Sequence, residues 1–420
     1  MTSEQHAIEA VEALPVEVRT RLDQGTASVL VDTRALEAVR RRFDDEQAGT
    51  LGRYLSAAQS ANTLRAYRSD WIAFTAWCLA EGRRSLPADP VDVAVYLAAA
   101  ADAVREGEPG RWALSPATLE RKAAAIAAVH GAHGLPSPTR ADVVRMTLRG
   151  IRRTRRAQPD RKRPVLLHTL EALLAERPAP GHPTGVARRR DALLLLTGFA
   201  GALRRGELAG LSFDDVAVDT DPRTGEPLLV VRLAATKTDQ EARHEQQVAL
   251  PRGRRAETCP VCAFADWADL VEAHRDGGAA GVRAFLADAD ADADAEPAGP
   301  AGPGAARAHR CHRYAGTGLA DGTGRPLFPA VSRHGALSAR PISGRGVAEL
   351  VKRYAERAGL DPRAFSGHSL RSGFATQAAL GGASDREIMR QGRWTNPRTV
   401  HGYIRTANPL EDNAVTRLGI

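Results

Sequence analysis

Residues 392–405 read Gly-Arg-Trp-Thr-Asn-Pro-Arg-Thr-Val-His-Gly-Tyr-Ile-Arg, and the rest of the chain is best understood outward from them. Asn396-Pro397 predicts the start of a short helix, because Asn caps and Pro fits the first turn. Tyr403 lies on that helix, nine residues beyond Trp394. A lone tyrosine is ordinarily a packing residue with its hydroxyl satisfied. This one becomes a candidate nucleophile through what precedes it. Ser384-Asp385-Arg386-Glu387 is a capping box that starts another helix. Before it, His368-Ser-Leu-Arg371 falls at a predicted helix start, where the i, i+3 spacing puts His368 and Arg371 on one face. The helix N-terminus adds its own affinity for phosphate there. Arg204 stands in TGFAGALRRGELAGL with Arg205 as a competitor and Glu207 three residues on, and Lys237 stands in LAATKTDQ. Singly, each has an ordinary explanation: a solvated cap, a solubilising lysine at a hairpin tip, a surface His beside a surface Arg.

Together, Arg204, Lys237, His368, Arg371, Trp394 and Tyr403 form a kit for metal-free phosphoryl transfer. Two guanidiniums can clamp and neutralise a phosphate. A His and a Lys can move protons, and a phenol can attack phosphorus to give a covalent intermediate. No acidic cluster accompanies them, so no metal and no cofactor is expected. Composition points to the substrate. Fifty-eight Lys and Arg against 50 Asp and Glu give a net charge of +8, a balance that favours a polyanion. The excess is concentrated between Arg140 and Pro164, where ten basic residues face only Asp142 and Asp160. Such a run repels itself unless phosphates neutralise it. Arg149, Arg152, Arg153, Arg155, Arg156, Arg161, Lys162 and Arg163 are therefore the candidate DNA-binding residues, and double-stranded DNA is the expected partner.

The fold class predicted is mainly α with a small β-hairpin or sheet (α+β), in more than one domain. Residues 1–47 form an N-terminal extension. A helical domain over 48–157 opens with a helix from about Thr63 to Leu79, whose stripe Leu64, Tyr67, Trp71, Phe74 and Cys78 is core and which stops at Gly82. A second helix after Asp89-Pro90 carries Val91, Val95 and Leu97, a third opens at Ser115-Pro116, and a fourth covers about 141–151. A basic linker over 158–164 leads to a mixed domain, 165–420. There Leu228–Ala234 and Gln247–Leu250 predict a hairpin with Lys237 at its tip. Residues 276–325, with ADADADADAE followed by PAGPAGPGAA, are expected to be a flexible low-complexity insertion, and 406–420 a C-terminal tail.

Four cysteines, Cys78, Cys259, Cys262 and Cys311, are too few and too unevenly placed for a disulfide framework. Cys259-Pro-Val-Cys262 has zinc-ligand spacing and could pair with His309, Cys311 or His312. That second half is irregular and falls inside the expected insertion, so the sequence favours Pro260 opening a helix that packs Cys262 inward. Neither a signal peptide nor a run of 18 apolar residues occurs, so no membrane partner is expected and a cytoplasmic, nucleoid-associated location is.

In this order the motifs resemble those of the tyrosine recombinases, or phage-type integrases, of the Xer-like and Cre-like kind. The match runs through ALRRGEL around Arg204, Lys237, HSLRSGFAT from His368 and the closing block ending at Tyr403. It spans roughly residues 48–410. Trp394 stands where many relatives carry His, which is Cre-like. Ala202 stands where a Gly often precedes Leu-Arg, Arg393 replaces another usual Gly, and the Lys237 to His368 interval is stretched to 131 residues. The resemblance implies a helical core-binding domain ahead of a catalytic domain. It implies that Tyr403 forms a 3′-phosphotyrosyl bond, that Arg204 and Arg371 bind the non-bridging oxygens, and that Lys237 protonates the leaving 5′-oxygen. His368 would assist proton transfer and Trp394 would hydrogen-bond the phosphate. It further implies a homotetramer on two recombination sites, with an accessory directionality factor as a possible partner, and DNA integration or excision as the outcome. A type IB topoisomerase-like relaxing activity and a DNA-binding protein with a vestigial site are the alternatives; the closing block speaks against the first and the intact residue set against the second.

Overall fold

The computed structural model describes residues 60–404 apart from 109–111, 156–161, 234–245, 296–307, 315 and 317, with a few isolated positions outside that range. The chain divides into two compact units, Met1–Asp160 and Arg161–Ile420, and the division falls inside the basic 158–164 segment.

The described part of the first unit is built from four helices. Helix α1 (Ala61–Ala80) starts at Ser60, whose hydroxyl accepts from the Thr63 N–H, and α2 (Pro90–Asp102) starts at Asp89, which caps Val91. Helix α3 (Pro116–Ala132) is capped by Ser115, and α4 spans Asp142–Arg155. Phe74 and Cys78 of the expected α1 stripe are buried, with Trp71 packed against them. On α2 the buried face is Val93, Ala94, Tyr96, Leu97 and Ala101, so of the apolar residues singled out there only Leu97 points inward; Val91 and Val95 are exposed. His130 is fully buried and completes two hydrogen bonds: Nε2 accepts from the Ala88 N–H at 2.9 Å, so Nδ1 carries the proton donated to the Ile126 carbonyl at 2.8 Å. Helix α4 continues past the expected end near 151 and takes in Arg152, Arg153 and Arg155.

The second unit is mixed. Helices α5 (Leu167–Ala175), α6 (Thr184–Ala200) and α7 (Arg205–Gly210) precede an antiparallel sheet of β1 (Val216–Thr220), β2 (Pro227–Leu233) and β3 (Gln246–Pro251), in that order. The predicted hairpin is thus the β2–β3 pair, with Val231 opposite Val248, and the sheet gains β1, with Val216 opposite Val231. Leu229, Val231 and Leu233 alternate into the core, as period-2 burial requires. Helix α8 (Pro260–Ala295) is broken at Gly278 (φ 56, ψ −144), a conformation that glycine adopts without strain. A short pair, β4 (Pro329–Val331) and β5 (Leu337–Pro341), leads to α9 (Gly344–Arg357), α10 (Ser369–Leu380), α11 (Asp385–Gly392) and α12 (Pro397–His401).

The expected insertion over 276–325 is not structureless where it is described. Val282 and Leu286, on the second half of α8, are buried in the main core, and Gly281 lies so close to that helix's first half that an added Cβ would sit 2.2 Å from the Ala273 carbonyl oxygen. Cys311 and Leu319 are buried too, and Asp214 accepts from the Gly322 and Gly324 N–H groups. The apolar i, i+3, i+4 set Val282, Phe285 and Leu286 was hidden by surrounding Gly, Ala and Asp. Around α6 and α9 the core closes on a buried polar trio: Arg190 pairs with Asp191, which accepts from the Tyr354 hydroxyl at 3.1 Å. No helix among the described residues is long and apolar enough to cross a membrane.

Candidate active site

Five of the six sequence-predicted residues converge in the second unit. Arg371, on the first turns of α10, is 1% exposed, and its Nη1 donates to the Ala202 carbonyl. Its guanidinium carbon lies 4.1 Å from the Trp394 ring centroid, and the Trp394 ring in turn lies 5.5 Å from that of Tyr403. The Tyr403 hydroxyl is 2.9 Å from His368 Nε2. His368 is the residue that precedes α10, so the i, i+3 spacing brings it and Arg371 to the same turn. Arg204 precedes α7 and bonds Glu207 through both Nη1, at 2.5 Å, and its backbone N–H, at 2.8 Å. Lys237 belongs to the β2–β3 connection and lies outside the described residues, as do Arg156 and Arg161.

Close packing fixes these groups. Gly392 touches the Trp394 ring so tightly that a Cβ there would meet Cζ3 at 1.8 Å, and a Cβ on Gly373 would meet the Val165 carbonyl oxygen at 1.9 Å. Only glycine allows either approach. The Thr376 hydroxyl donates to the Tyr403 carbonyl at 3.0 Å, tying the turn after α12 to α10.

Two further residues, Glu207 and Arg393, organise the site. Arg393 Nη2 bonds Glu207 Oε2 at 3.0 Å, and its Nη1 reaches the Gly201 and Gln391 carbonyls at 3.1 Å each. Glu207 therefore holds Arg204 and Arg393 at once. Burial pushes its carboxyl pKa up, but the Arg204 N–H and the charges of Arg393 and Arg204 outweigh that and hold it below the usual carboxylate range. The motif gave the signal for Glu207, three residues after Arg204. Arg393 was visible only as a departure from a usual glycine, and the backbone explains both departures: Ala202 (φ 47) and Arg393 (φ 55) are the non-glycine residues of positive φ among those described. Arg393 is the left-handed C-cap of α11.

Arg204, Arg371 and Arg393 thus crowd around a single carboxylate. Burial first, then the charges of Arg204 and Arg393, pull the Arg371 pKa down to about 9. A guanidinium does not give up its proton under ordinary conditions, so a buried charge with two more guanidiniums nearby favours an anion beside it. Arg371 Nη2 is buried without a hydrogen-bond partner, a donor ready for one.

The basic cluster is partly committed within its own unit. Arg149 and Arg153 are exposed on α4, and Arg152 pairs with Glu120 at 3.3 Å. Arg155 turns back to the Leu114 carbonyl at 2.9 Å and lies 4.4 Å from the Trp112 ring centre. In the second unit, Lys162 donates to the Arg363 carbonyl at 3.0 Å and Arg163 lies beside Phe365.

Residues 309–408 match the model of the phage integrase family. Across 369 residues the chain is 30% identical to the integrase/recombinase xerD homolog of Selenomonas ruminantium, covering 87% of this chain and 88% of that protein. It is 23% identical over 375 residues to the recombinase cre of Escherichia phage P1, covering 86% and 88%. Similar solved structures include the XerH site-specific recombinase bound to a palindromic difH substrate (13% identity, TM-score 0.44, 95% of this chain and 92% of that one). Another is the Tn1549 transposon integrase with circular intermediate DNA (15% identity, TM-score 0.42, 94% and 99%). The chain belongs to the tyrosine recombinase, or phage integrase, family. Its general activity is accordingly DNA recombination by cutting and rejoining DNA.

Proposed function

We propose that the chain is a site-specific recombinase that cuts duplex DNA through a 3′-phosphotyrosyl intermediate and exchanges strands between two sites. The observation that carries this reading is the run of contacts Arg371–Trp394–Tyr403–His368, which sets a phenol hydrogen-bonded to a proton carrier beside a buried guanidinium with a free donor. In the forward step the Tyr403 oxygen bonds to phosphorus as the bond to the 5′-oxygen breaks. The phenolic proton passes to His368, and Lys237 supplies a proton to the leaving oxygen. Arg204 and Arg371 neutralise the non-bridging oxygens as charge builds on them, and the Trp394 indole N–H donates to the phosphate. Rejoining reverses the step with the 5′-hydroxyl of the exchanged strand as nucleophile. One ester replaces another, so no ATP is consumed, and the two guanidiniums supply the positive charge a metal would otherwise bring. Four protomers on two sites, with the 406–420 tail docking on a neighbour and an accessory factor setting direction, complete the reading. The exposed Arg149 and Arg153 are assigned to backbone phosphates.

A nicked duplex carrying the recombination site, which loses its 5′-hydroxyl fragment on cleavage, tests the chemistry. The wild-type chain is expected to accumulate a covalent adduct and Tyr403→Phe to bind the duplex without one. An adduct in Tyr403→Phe would refute the assignment. His368→Ala should slow adduct formation by about 10²–10⁴-fold. Exchange between two marked sites separates recombination from relaxation alone.

A further inference from the structure

We propose that the second unit holds a structural zinc ion between Cys259, Cys262, His309 and Cys311, apart from the phosphate chemistry. One ligand atom from each of these residues lies within 4.8 Å of all the others. His309 Nδ1 is 3.4 Å from Cys262 Sγ and 3.7 Å from Cys311 Sγ. A tetrahedral zinc with bonds of about 2.3 Å to sulfur and about 2.0 Å to nitrogen needs neighbouring donors roughly 3.6 Å apart, and the two His309–sulfur distances already have that spacing.

The surroundings are those of a metal knuckle. Cys259-Pro-Val-Cys262 turns into α8 with the Cys262 N–H 3.4 Å from Cys259 Sγ, a donor to the sulfur. Gly253 presses on that turn, where a Cβ would meet Cys259 Cα at 2.8 Å. His309 Nε2 lies 3.4 Å from the Arg254 carbonyl. That contact puts the ring proton on Nε2 and leaves the Nδ1 lone pair facing the sulfurs, the usual outer partner of a metal-bound histidine. Arg310, between the last two ligands, bonds Asp266 at 2.6 Å and Asp269 at 3.0 Å and so clamps the 309–311 segment onto α8. His312, which the sequence also offered, is turned to Glu226 at 3.5 Å and takes no part.

Three buried thiols and a histidine form a soft, four-donor set that selects zinc over harder ions. A disulfide would use two of the three sulfurs and leave the third, with the histidine, unexplained. The ion would join the two ends of an excursion of about 50 residues, Cys259 to Cys311, where closing a long loop restricts the unfolded chain most. It would also hold the end of β3, the start of α8 and the returning segment together. The sequence saw the helix that packs Cys262 inward and read it as an alternative to zinc; the two are one arrangement.

Elemental analysis of the full chain, purified without chelator from zinc-supplemented medium, should find about one zinc per chain. Cys262→Ser with Cys311→Ser should lower that at least tenfold, whereas His309→Cys should keep it. Where the serine variant fails to fold, the wild-type chain exchanged into cobalt(II) decides: intense visible bands of a tetrahedral site with thiolate charge transfer are expected. A folded wild-type chain with four titratable thiols and no bound zinc would overturn the proposal. So would full occupancy in the double serine variant, or a cobalt spectrum without thiolate bands.

Discussion

Replacing Arg393 with glycine, the residue usual at this position in the family, should harm the protein although it relieves strain. Arg393 sits at φ 55, and a non-glycine residue there pays about 1 kcal/mol that glycine would not. Against that gain stands the ion pair with Glu207, whose side chains are only 7% and 6% exposed. Removing one partner of a buried pair costs about 3–5 kcal/mol, here at the low end because Glu207 keeps Arg204. The Gly201 and Gln391 carbonyls also lose their bonds to Nη1, at about 1 kcal/mol net for the two after water replaces the donor. The balance is a loss of roughly 3 kcal/mol from the second unit. Denaturant unfolding followed by tryptophan fluorescence reads it, and adduct formation on the nicked duplex should fall with it, because Glu207 then pulls on Arg204 alone. Ala202→Gly is the internal comparison. Ala202 is at φ 47 and fully buried, so relief of about 1 kcal/mol offsets the loss of about 0.8 kcal/mol from one buried methyl, and no clear change is expected. An Arg393→Gly protein as stable as wild type would refute the view that the guanidinium, not the backbone, decides this position.

Gly373→Ala should cost about 1–3 kcal/mol or more, because the new Cβ meets a backbone carbonyl at 1.9 Å; a thermal melt unchanged from wild type would contradict the packing. Burial lowers the His130 pKa in the folded first unit. As pH falls through the ordinary histidine range near 6.5, the unfolded chain takes up the proton first, so this stability is present above that range and is lost below it. Urea midpoints of wild type and His130→Gln from pH 8 to 5 check it, with a flatter profile expected for the variant. Tyr403→Phe should retain the wild-type melting point while losing the adduct, since its hydroxyl serves His368 at the surface and no core group.

Much of the site was legible because its chemistry restricts residue type. His368 and Arg371 are three apart at one helix start, so local spacing already set them together; Trp394 and Tyr403 flank one short helix, which ends at His401 before the tyrosine it was expected to carry. What local spacing could not give was the join between blocks. Arg204 reaches the rest through Glu207 and Arg393, a residue 186 positions further on, and only tertiary packing closes that distance. The fold class was legible, and two local expectations failed for the same kind of reason. Val91 and Val95 fit an apolar helix face on α2 yet are exposed, because the face that met α1 and α3 was the one carrying Tyr96 and Leu97. The second half of α8 has too few apolar residues to announce itself, and it is buried because Gly281 lets it lie directly against the first half.

The site's electrostatics argue that its two glycine departures belong together. With glycine at 393, Glu207 would balance Arg204 alone, and Arg371 would be the one uncompensated cation beside it. Arg393 adds a third guanidinium to a pocket with a single carboxylate, which raises the cost of the empty site and the gain when a phosphate enters. The same residue more than offsets that cost through its pair with Glu207 and by tying the Gly201–Ala202 turn to α11 through the Gly201 carbonyl at 3.1 Å and the Ala202 carbonyl at 3.4 Å. Ala202 sits in the left-handed region at that turn, where Arg371 also donates to its carbonyl. Two guanidiniums on one carbonyl hold the strained turn at Ala202, so Arg371 and Arg393 brace the phosphate pocket through the same backbone group.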